Sequence, residues 1–396
     1  MYNSIFFLYF LQGLNYAIPL MELPLLARKL GAVNYGQLIV VQSAALMASL
    51  LVEYGFNIRS TRSVAEYKDD KTLHRHIYWR VLSAKIILSF PVAIFCVFLI
   101  KFFAYDFWLV FYGFFYFVAF GFSCNWYYQG VDRLIISGSL DVTIRYLSLL
   151  CIFLLLPSGA QASDALMYMA SLSLLSTVIT NGVGIINFGF EKLSFRQGWC
   201  EILLGFNVFL YKSSSGIMSA LLPVCVGSVA GVQAVSKIAS AEKIVRALVG
   251  MTSPIFMVLY PIFVRNRNLG EVKRKERTAV VFAAIGSFCA AILVLMFAYD
   301  IIKFLLGVEY LEAVPVLKIF CISIFLRVTS QSIAYFILLP RNDDWYTAKV
   351  SLVSVVVLLV LFIPMTFWLS ALGAALAMVI SDFFMLACYF HRMNRR

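Results

Sequence analysis

Eight lysines and arginines fall inside or at the edges of long apolar runs: Lys85, Arg145, Lys212, Lys243, Arg246, Lys318, Arg327 and Lys349. A charge in such a run is costly unless water, a partner or a ligand meets it. Lys85, Lys318 and Lys349 lie near the ends of their runs, where a long side chain can snorkel to the interface. Arg145 stands four residues after Asp141, and Arg246 four after Glu242, so each pair shares a helix face. Mutual neutralisation and a ligand role are both open for these pairs. Lys212, Lys243 and Arg327 lack a clear acid of their own or outnumber the acids near them. Their helical neighbours are small or polar: Ser215, Gly216 and Ser219 beside Lys212, Ser236, Ser240 and Gly250 beside Lys243, and Ser323, Ser330 and Gln331 beside Arg327. At about 100° per residue each group forms a polar stripe on an otherwise apolar helix. Such stripes would line an aqueous path of mostly positive fixed charge. The chemistry that suits them is binding of an anion, such as a pyrophosphate or a carboxylated sugar. Arg28 and Lys85 complete the candidate anion-binding set.

A second group suits gating or coupling. Pro19 removes a helical hydrogen bond and should kink or hinge its helix, with Gln12, Asn15 and Tyr16 projecting to the same side. A packing kink with polar contacts between helices is the alternative. Glu53 ends the second apolar run, where it pairs with Arg59 or Arg62 or takes up a coupling proton; pairing is the simpler reading. Asp141 and Glu242 are the other coupling candidates. No metal site is read. His74, His76 and His391 sit in basic segments, and the eight cysteines are scattered without a C-x-x-C pair, so small apolar filler describes them best. No cofactor is implied.

The elements that must position these groups are membrane helices. Apolar residues make up 62% of the 396-residue chain, charged residues only 13%, and mean hydropathy is +0.89. Apolar runs of about 20 residues, long enough to span a hydrocarbon core of roughly 30 Å, recur along the whole length. The alternating ten-residue strands of a membrane barrel are absent. The expectation is an all-α polytopic membrane protein with about twelve spans, at 4–27, 36–58, 77–100, 106–128, 136–156, 162–187, 204–226, 238–264, 278–299, 314–338, 346–368 and 370–391. The first run leads straight into the next and is too long for a cleavable signal. With the N-terminus inside, nineteen basic residues fall in inner segments and five in outer ones. This bias places both termini in the cytoplasm and accounts for the net charge of +12 without nucleic acid.

The stretch NFGFEKLSFRQGWCEILLGF joins the sixth span to the seventh. The expected organisation is a six-helix bundle over 1–190, a cytoplasmic linker over 191–203 and a second six-helix bundle over 204–396. A short internal repeat fits two halves: Pro24 leads to Gly31 and Gly36 after span one, and Pro223 leads to Gly227 and Gly231 after span seven. Such a match between spans of equal orientation implies parallel halves about an axis along the membrane normal. No phosphate-binding G-x-x-x-x-G-K-[ST] loop occurs, so the chain carries no ATPase of its own. No extramembrane segment is long enough for a glycosyl-transfer site.

Several motifs then point one way. LQGLNYAIPL and PLLARKLGAVNYG in span one, EYGFNIRSTRSVAE after span two, NWYYQG at 125–130, and AEKIVRA followed by LYP in span eight resemble the Wzx-type O-antigen flippases. These form part of the polysaccharide transport family, in the superfamily that also holds the MATE exporters and the lipid II flippase. The resemblance covers essentially the whole chain, although relatives usually carry a basic segment ahead of span one. It implies two six-helix bundles in a MATE-like V and alternating access. The substrate implied is an undecaprenyl-pyrophosphate-linked oligosaccharide, moved from the cytoplasmic to the periplasmic leaflet of the bacterial inner membrane. It also implies a proton or sodium gradient as the drive, a monomer, and the O-antigen polymerase and chain-length regulator as candidate partners. The protein would be a transporter and not an enzyme. Two rivals stand beside it. A MATE-like exporter of cationic drugs would want unpaired intramembrane acids. A membrane polymerase or glycosyltransferase would want a long periplasmic loop.

Overall fold

The computed structural model describes residues 2–66, 70–103, 106–131, 133–252, 255–256, 259, 263, 270–341 and 343–395; within these, the side chains at 2–13, 15–16, 57–58, 96–103, 134, 206–221, 270–273 and 344 lie outside the description. The described elements are helices, and no strand occurs among the described residues. They are α1 (Tyr2–Glu53), α2 (Phe56–Glu66), α3 (Lys71–Phe103), α4 (Phe107–Gly121), α5 (Asn125–Gly130), α6 (Leu134–Leu155), α7 (Ala162–Phe188), α8 (Phe195–Ala230), α9 (Val232–Gly250), α10 (Gly270–Met296), α11 (Ala298–Leu305), α12 (Val314–Ile333) and α13 (Asp344–Asn394). Each expected span overlaps a described helix, with interruptions at Tyr54–Gly55 in the second and Phe122–Cys124 in the fourth, and the eighth is described as continuous helix only to Gly250. Seven segments among the described residues are long and apolar enough to cross a membrane. The chain is an all-α polytopic membrane protein.

Two of those segments, Ala17–Glu53 and Trp345–Asn394, run for 37 and 50 residues. At 1.5 Å per residue the longer would measure about 75 Å, far beyond one hydrocarbon core. Each is interrupted. Gly31 (φ 72°, ψ 172°) breaks α1 and Ser370 (φ 53°, ψ −129°) breaks α13, so each long helix supplies two spans. The dihedrals of Gly31 belong to a region that a Cβ all but forbids. Gly231, between α8 and α9, adopts nearly the same geometry (φ 82°, ψ 168°). The glycines of the sequence repeat that correspond in backbone are therefore Gly31 and Gly231.

The chain divides into two compact units. One comprises 1–18 and 37–224, the other 19–36 and 225–396. The first divide along the chain falls between Ile18 and Pro19, and the last between Val224 and Cys225, next to Pro223. In the first unit α4 packs along α7, and α5 packs on α2. There Gly130 meets Val64 so closely that a methyl at Gly130 would lie 2.7 Å from Val64 Cγ1, and the Thr61 hydroxyl donates to the Trp126 carbonyl at 3.0 Å. Tyr54, Phe56, Tyr78, Trp79, Trp126 and Tyr127 form one buried aromatic core with their neighbours. EYGFN and NWYYQG thus meet as packing partners. In the second unit α12 is the central helix, packed against α9, α10 and α13. The segment 19–36 joins this unit: the Tyr310 hydroxyl donates to the Ala27 carbonyl at 3.3 Å, and the rings of Tyr35 and Tyr310 meet edge-on.

Helix boundaries follow local chemistry. Asp106 caps α4 through the Leu109 amide at 3.2 Å, and Gln161 with Asp164 forms a reciprocal cap on α7. The Asp70 carboxylate accepts the amides of Thr72 and Leu73, both at 3.0 Å, and so caps α3. The Thr72 hydroxyl bonded to it holds the Asp70 carboxyl below its ordinary pKa, so this cap persists well below neutral pH.

Gly36 lies where a methyl would fall 2.0 Å from the Val232 carbonyl oxygen. Gly36→Ala is therefore expected to destabilise the protein by roughly 1–3 kcal/mol through forced backbone movement. Gly31→Ala, which meets no close atom but a forbidden dihedral, should cost a similar 1–3 kcal/mol. Thermal melts of the purified protein followed by size-exclusion elution check both, and unchanged midpoints would contradict the close approach and the dihedral respectively.

Candidate functional site

The sequence treats Arg327 as a cation without an acid and Arg145 as a member of an ion pair. The tertiary structure reverses both. Arg327 Nε donates to Asp382 Oδ2 at 2.8 Å, and the Ser323 hydroxyl donates to the same oxygen at 2.8 Å. Asp382 lies 55 residues further on, in the second half of α13, so spacing on α12 gives no sign of it. The expectation that Arg327 has no acid of its own is corrected. α12 is surrounded by helices, and a guanidinium there needs a carboxylate from a neighbour.

Arg145 has the opposite surroundings. Asp141 accepts hydrogen bonds from Asn125 Nδ2 at 3.0 Å and from the Ser176 hydroxyl, and no ion pair joins it to Arg145 among the described residues. The Arg145 guanidinium instead rests over the Phe120 ring, 5.4 Å from its centroid. Both residues line a cavity of about 120 Å³ between α4, α6, α7 and the end of α1. Glu53, Ser123, Asn125 and Ser173 line it too. It is a small polar chamber within the first unit, holding two carboxylates and a guanidinium without a direct carboxylate partner.

Glu53 lines this cavity, while the two arginines named beside it in the sequence have carboxylates elsewhere. Arg59 Nη1 lies 3.0 Å from Glu201, close enough for ion pairing though outside hydrogen-bond geometry. Arg62 bonds Glu66 one turn away at 3.0 Å. Arg80 donates to the second oxygen of Glu201, so one buried carboxylate at the start of α8 gathers two arginines from α2 and α3.

Lys85 does not snorkel. It is 3% exposed, and its ammonium donates to the Ser123 carbonyl at 2.9 Å in the break between α4 and α5. Asn181 Nδ2 serves the neighbouring Phe122 carbonyl at 3.1 Å. Chain breaks inside a membrane leave carbonyls that the protein must satisfy, and here a lysine and an asparagine do so.

In the second unit Lys243 and Arg246 lie on α9 with Glu242. Glu242 is held by Arg246 at 2.6 and 2.8 Å, and it also interacts electrostatically with Arg327. Arg246 nonetheless keeps about half its side-chain surface (54%) exposed. Lys243 Nζ lies 3.2 Å from the Tyr35 hydroxyl, with no carboxylate in salt-bridge reach among the described residues. Arg28 donates to the Phe304 carbonyl and belongs to an exposed corner rather than to this group. The helix carries on through Pro19 and breaks at Gly31. Lys212 lies on α8, with its side chain outside the described residues.

A family profile described as "Polysaccharide biosynthesis protein" matches residues 1–267. Over 389 residues the chain is 26% identical to a protein of Escherichia coli (strain K12) named "Putative O-antigen transporter", covering 96% of this chain and 93% of that one. A Shigella dysenteriae protein of the same name is 22% identical over 400 residues, covering 96% and 97%. Among solved structures, the lipid II flippase MurJ in an inward closed conformation is similar with a TM-score of 0.76, over 100% of this chain and 88% of that one, at 12% identity. A MATE protein in complex with MaD3S gives 0.54, over 97% and 94%, at 14% identity. At such identities the likeness is one of fold, and it agrees with the expected architecture class.

Removing one member of a buried ion pair strands the other, at a cost of roughly 3–5 kcal/mol, whereas removing both is far better tolerated. Arg327→Ala is thus expected to lower the folded level in membranes, and Arg327→Leu combined with Asp382→Leu to restore most of it. Immunoblots of membrane extracts with melting curves check this; a stable, abundant Arg327→Ala single variant would contradict the pairing.

Proposed function

This chain belongs to the polysaccharide biosynthesis protein family, and on that premise we propose that it is a flippase for an undecaprenyl-pyrophosphate-linked O-antigen oligosaccharide. It moves this lipid from the cytoplasmic to the periplasmic leaflet of the bacterial inner membrane, with both its termini in the cytoplasm. The observation that carries the reading is the match along 96% of the chain to relatives named for O-antigen transport. The fold shared with a lipid II flippase supports it.

The site geometry supports the same chemistry. A pyrophosphate and acidic sugars need cations that the protein has not already neutralised. Among the described residues Arg145 meets that condition, and Lys243, beside Glu242 but bonded to the Tyr35 hydroxyl, and the half-exposed Arg246 meet it in part. In a low-dielectric chamber such a contact is worth more than at a surface. Lys212 stays in the candidate set on its sequence position. Transport proceeds by alternating access of the two units. Two of the three points where the chain passes between them lie beside Pro19 and Pro223, and these prolines are the hinge candidates. Glu53 and Asp141, lining the Arg145 cavity, are the coupling candidates, with a proton or sodium ion as the driving ion. The protein acts as a monomer without covalent chemistry, and the polymerase that consumes its product is the natural partner.

Deleting the protein should trap lipid-linked repeat units at the cytoplasmic leaflet and remove surface polysaccharide. Unchanged surface O-antigen in the deletion strain would overturn the reading.

Arg145→Ala is expected to insert at normal abundance, because Asp141 keeps its Asn125 and Ser176 donors, yet to lower surface O-antigen by roughly tenfold or more. Arg145→Lys should retain part of the function, having charge without the planar fork. Lys243→Ala should behave like Arg145→Ala. The ratio of surface polysaccharide to membrane-protein level decides, and a normal ratio in both alanine variants would refute the cation role. Collapsing the ion gradient in vesicles should slow flipping even with ATP present; equal rates would refute gradient coupling.

A further inference from the structure

A second cavity in the first unit, of about 420 Å³, opens at the end that carries Lys71 and Arg133. We propose that it holds the phosphate headgroup of a lipid, whose chains run along the outer faces of α6 and α7. The transport reading bears on this proposal only in setting which leaflet supplies the lipid.

Three elements converge on the cavity. Lys71 opens α3, Arg133 directly precedes α6, and Tyr127 comes from the short helix α5. The packing of α5 on α2 holds Tyr127 there, and the buried His74 ring meets Tyr127 edge-on. Among the described residues, neither Lys71 nor Arg133 has a carboxylate in salt-bridge reach, and the Tyr127 hydroxyl has no hydrogen-bond partner. Asp70, the described acid beside Lys71, is committed to capping α3. Two cations and a phenol without partners among the described residues form an anion-binding lining.

The apolar part of the lining selects an amphiphile over a soluble anion. Ile136 on α6 and Val183 on α7 line the same cavity and are exposed, and the adjoining Ile186 is 84% exposed. Both helices are membrane-crossing segments, so these exposed side chains face acyl chains. A basic pocket between transmembrane helices with an apolar exit suits a phosphate-bearing lipid. Two lipids carry that chemistry: a bilayer phospholipid of net negative charge and a polyprenyl pyrophosphate.

The test uses the full chain purified in detergent, with dioctanoyl phosphatidylglycerol, dioctanoyl phosphatidylcholine and farnesyl pyrophosphate as probes. Binding is read from the shift in melting midpoint and from lipid adducts in native mass spectrometry. At least one anionic probe is expected to bind and the phosphatidylcholine probe not to. Lys71→Gln combined with Arg133→Gln should weaken anionic binding by roughly tenfold or more, and Tyr127→Phe by about threefold. Arg62→Gln, an exposed cation outside the cavity, should leave it unchanged. Tighter binding of phosphatidylglycerol assigns the site to bilayer lipid, and tighter binding of farnesyl pyrophosphate assigns it to a polyprenyl lipid. Equal phosphatidylcholine binding, or undiminished anionic binding in the double variant with its lipid-free melting midpoint retained, would overturn the proposal. Because no transport is measured, failure of the flippase reading would leave this outcome untouched.

Discussion

A charge held away from water must find a partner, and in this chain that requirement decides the role of almost every cation near the hydrocarbon. Arg327 meets it with Asp382 and Ser323. Arg59 and Arg80 meet it on Glu201, Arg341 on the buried Glu276, and Arg392 on Asp343. Lys85 meets it on a backbone carbonyl. Once these pairs are drawn, the cations left for an anionic ligand among the described residues are few. Arg145 and Lys243 each rest against an aromatic ring rather than a carboxylate. An aromatic face holds a cation in place weakly enough for a stronger anion to take it over.

The same rule governs the backbone. A helix break in a bilayer frees carbonyl and amide groups, which must be satisfied locally. The break at Phe122–Cys124 is served by Lys85 and Asn181. Beside it lie the Asp141 donors Asn125 and Ser176 and the Arg145 guanidinium. The polar chamber of the first unit is thus built around a place where the helix stops. EYGFN and NWYYQG are read in the sequence as marks of a functional family. In the fold they pack the aromatic core beneath that break and set where α5 lies. There they position the chamber and the basic cavity near Tyr127.

The chain crosses between the two units at Ile18–Pro19, at Gly36–Gln37 and beside Pro223. A proline inside a helix lacks one backbone bond, so the helix bends there at lower cost than elsewhere. Each proline is followed within a dozen residues by a glycine in the same forbidden region, Gly31 or Gly231. The first span of each half therefore carries proline, Pro19 and Pro24 in one and Pro223 in the other, ahead of a terminal glycine. Their weak sequence repeat reflects a repeated backbone requirement, which few residue types can meet.

Membrane class, span positions and the all-helical fold were legible because they depend on quantities local to the chain. Twenty apolar residues span a bilayer whatever their neighbours are. The motifs EYGFN and NWYYQG were legible for the same reason. The roles of individual charges were not. Arg145 and Asp141 share a helix face, and that spacing suggested a pair; Asn125 and Ser176, from two other helices, took Asp141 instead. Arg327 had no acid within reach on its own helix, and Asp382 reached it from α13. Whether a charge is neutralised depends on what lies a few ångströms away in space, and in a helical membrane protein those neighbours come from spans dozens of residues distant. The sequence determined which helices cross the membrane and where they break; the packing between helices decided which charges remained available for a ligand.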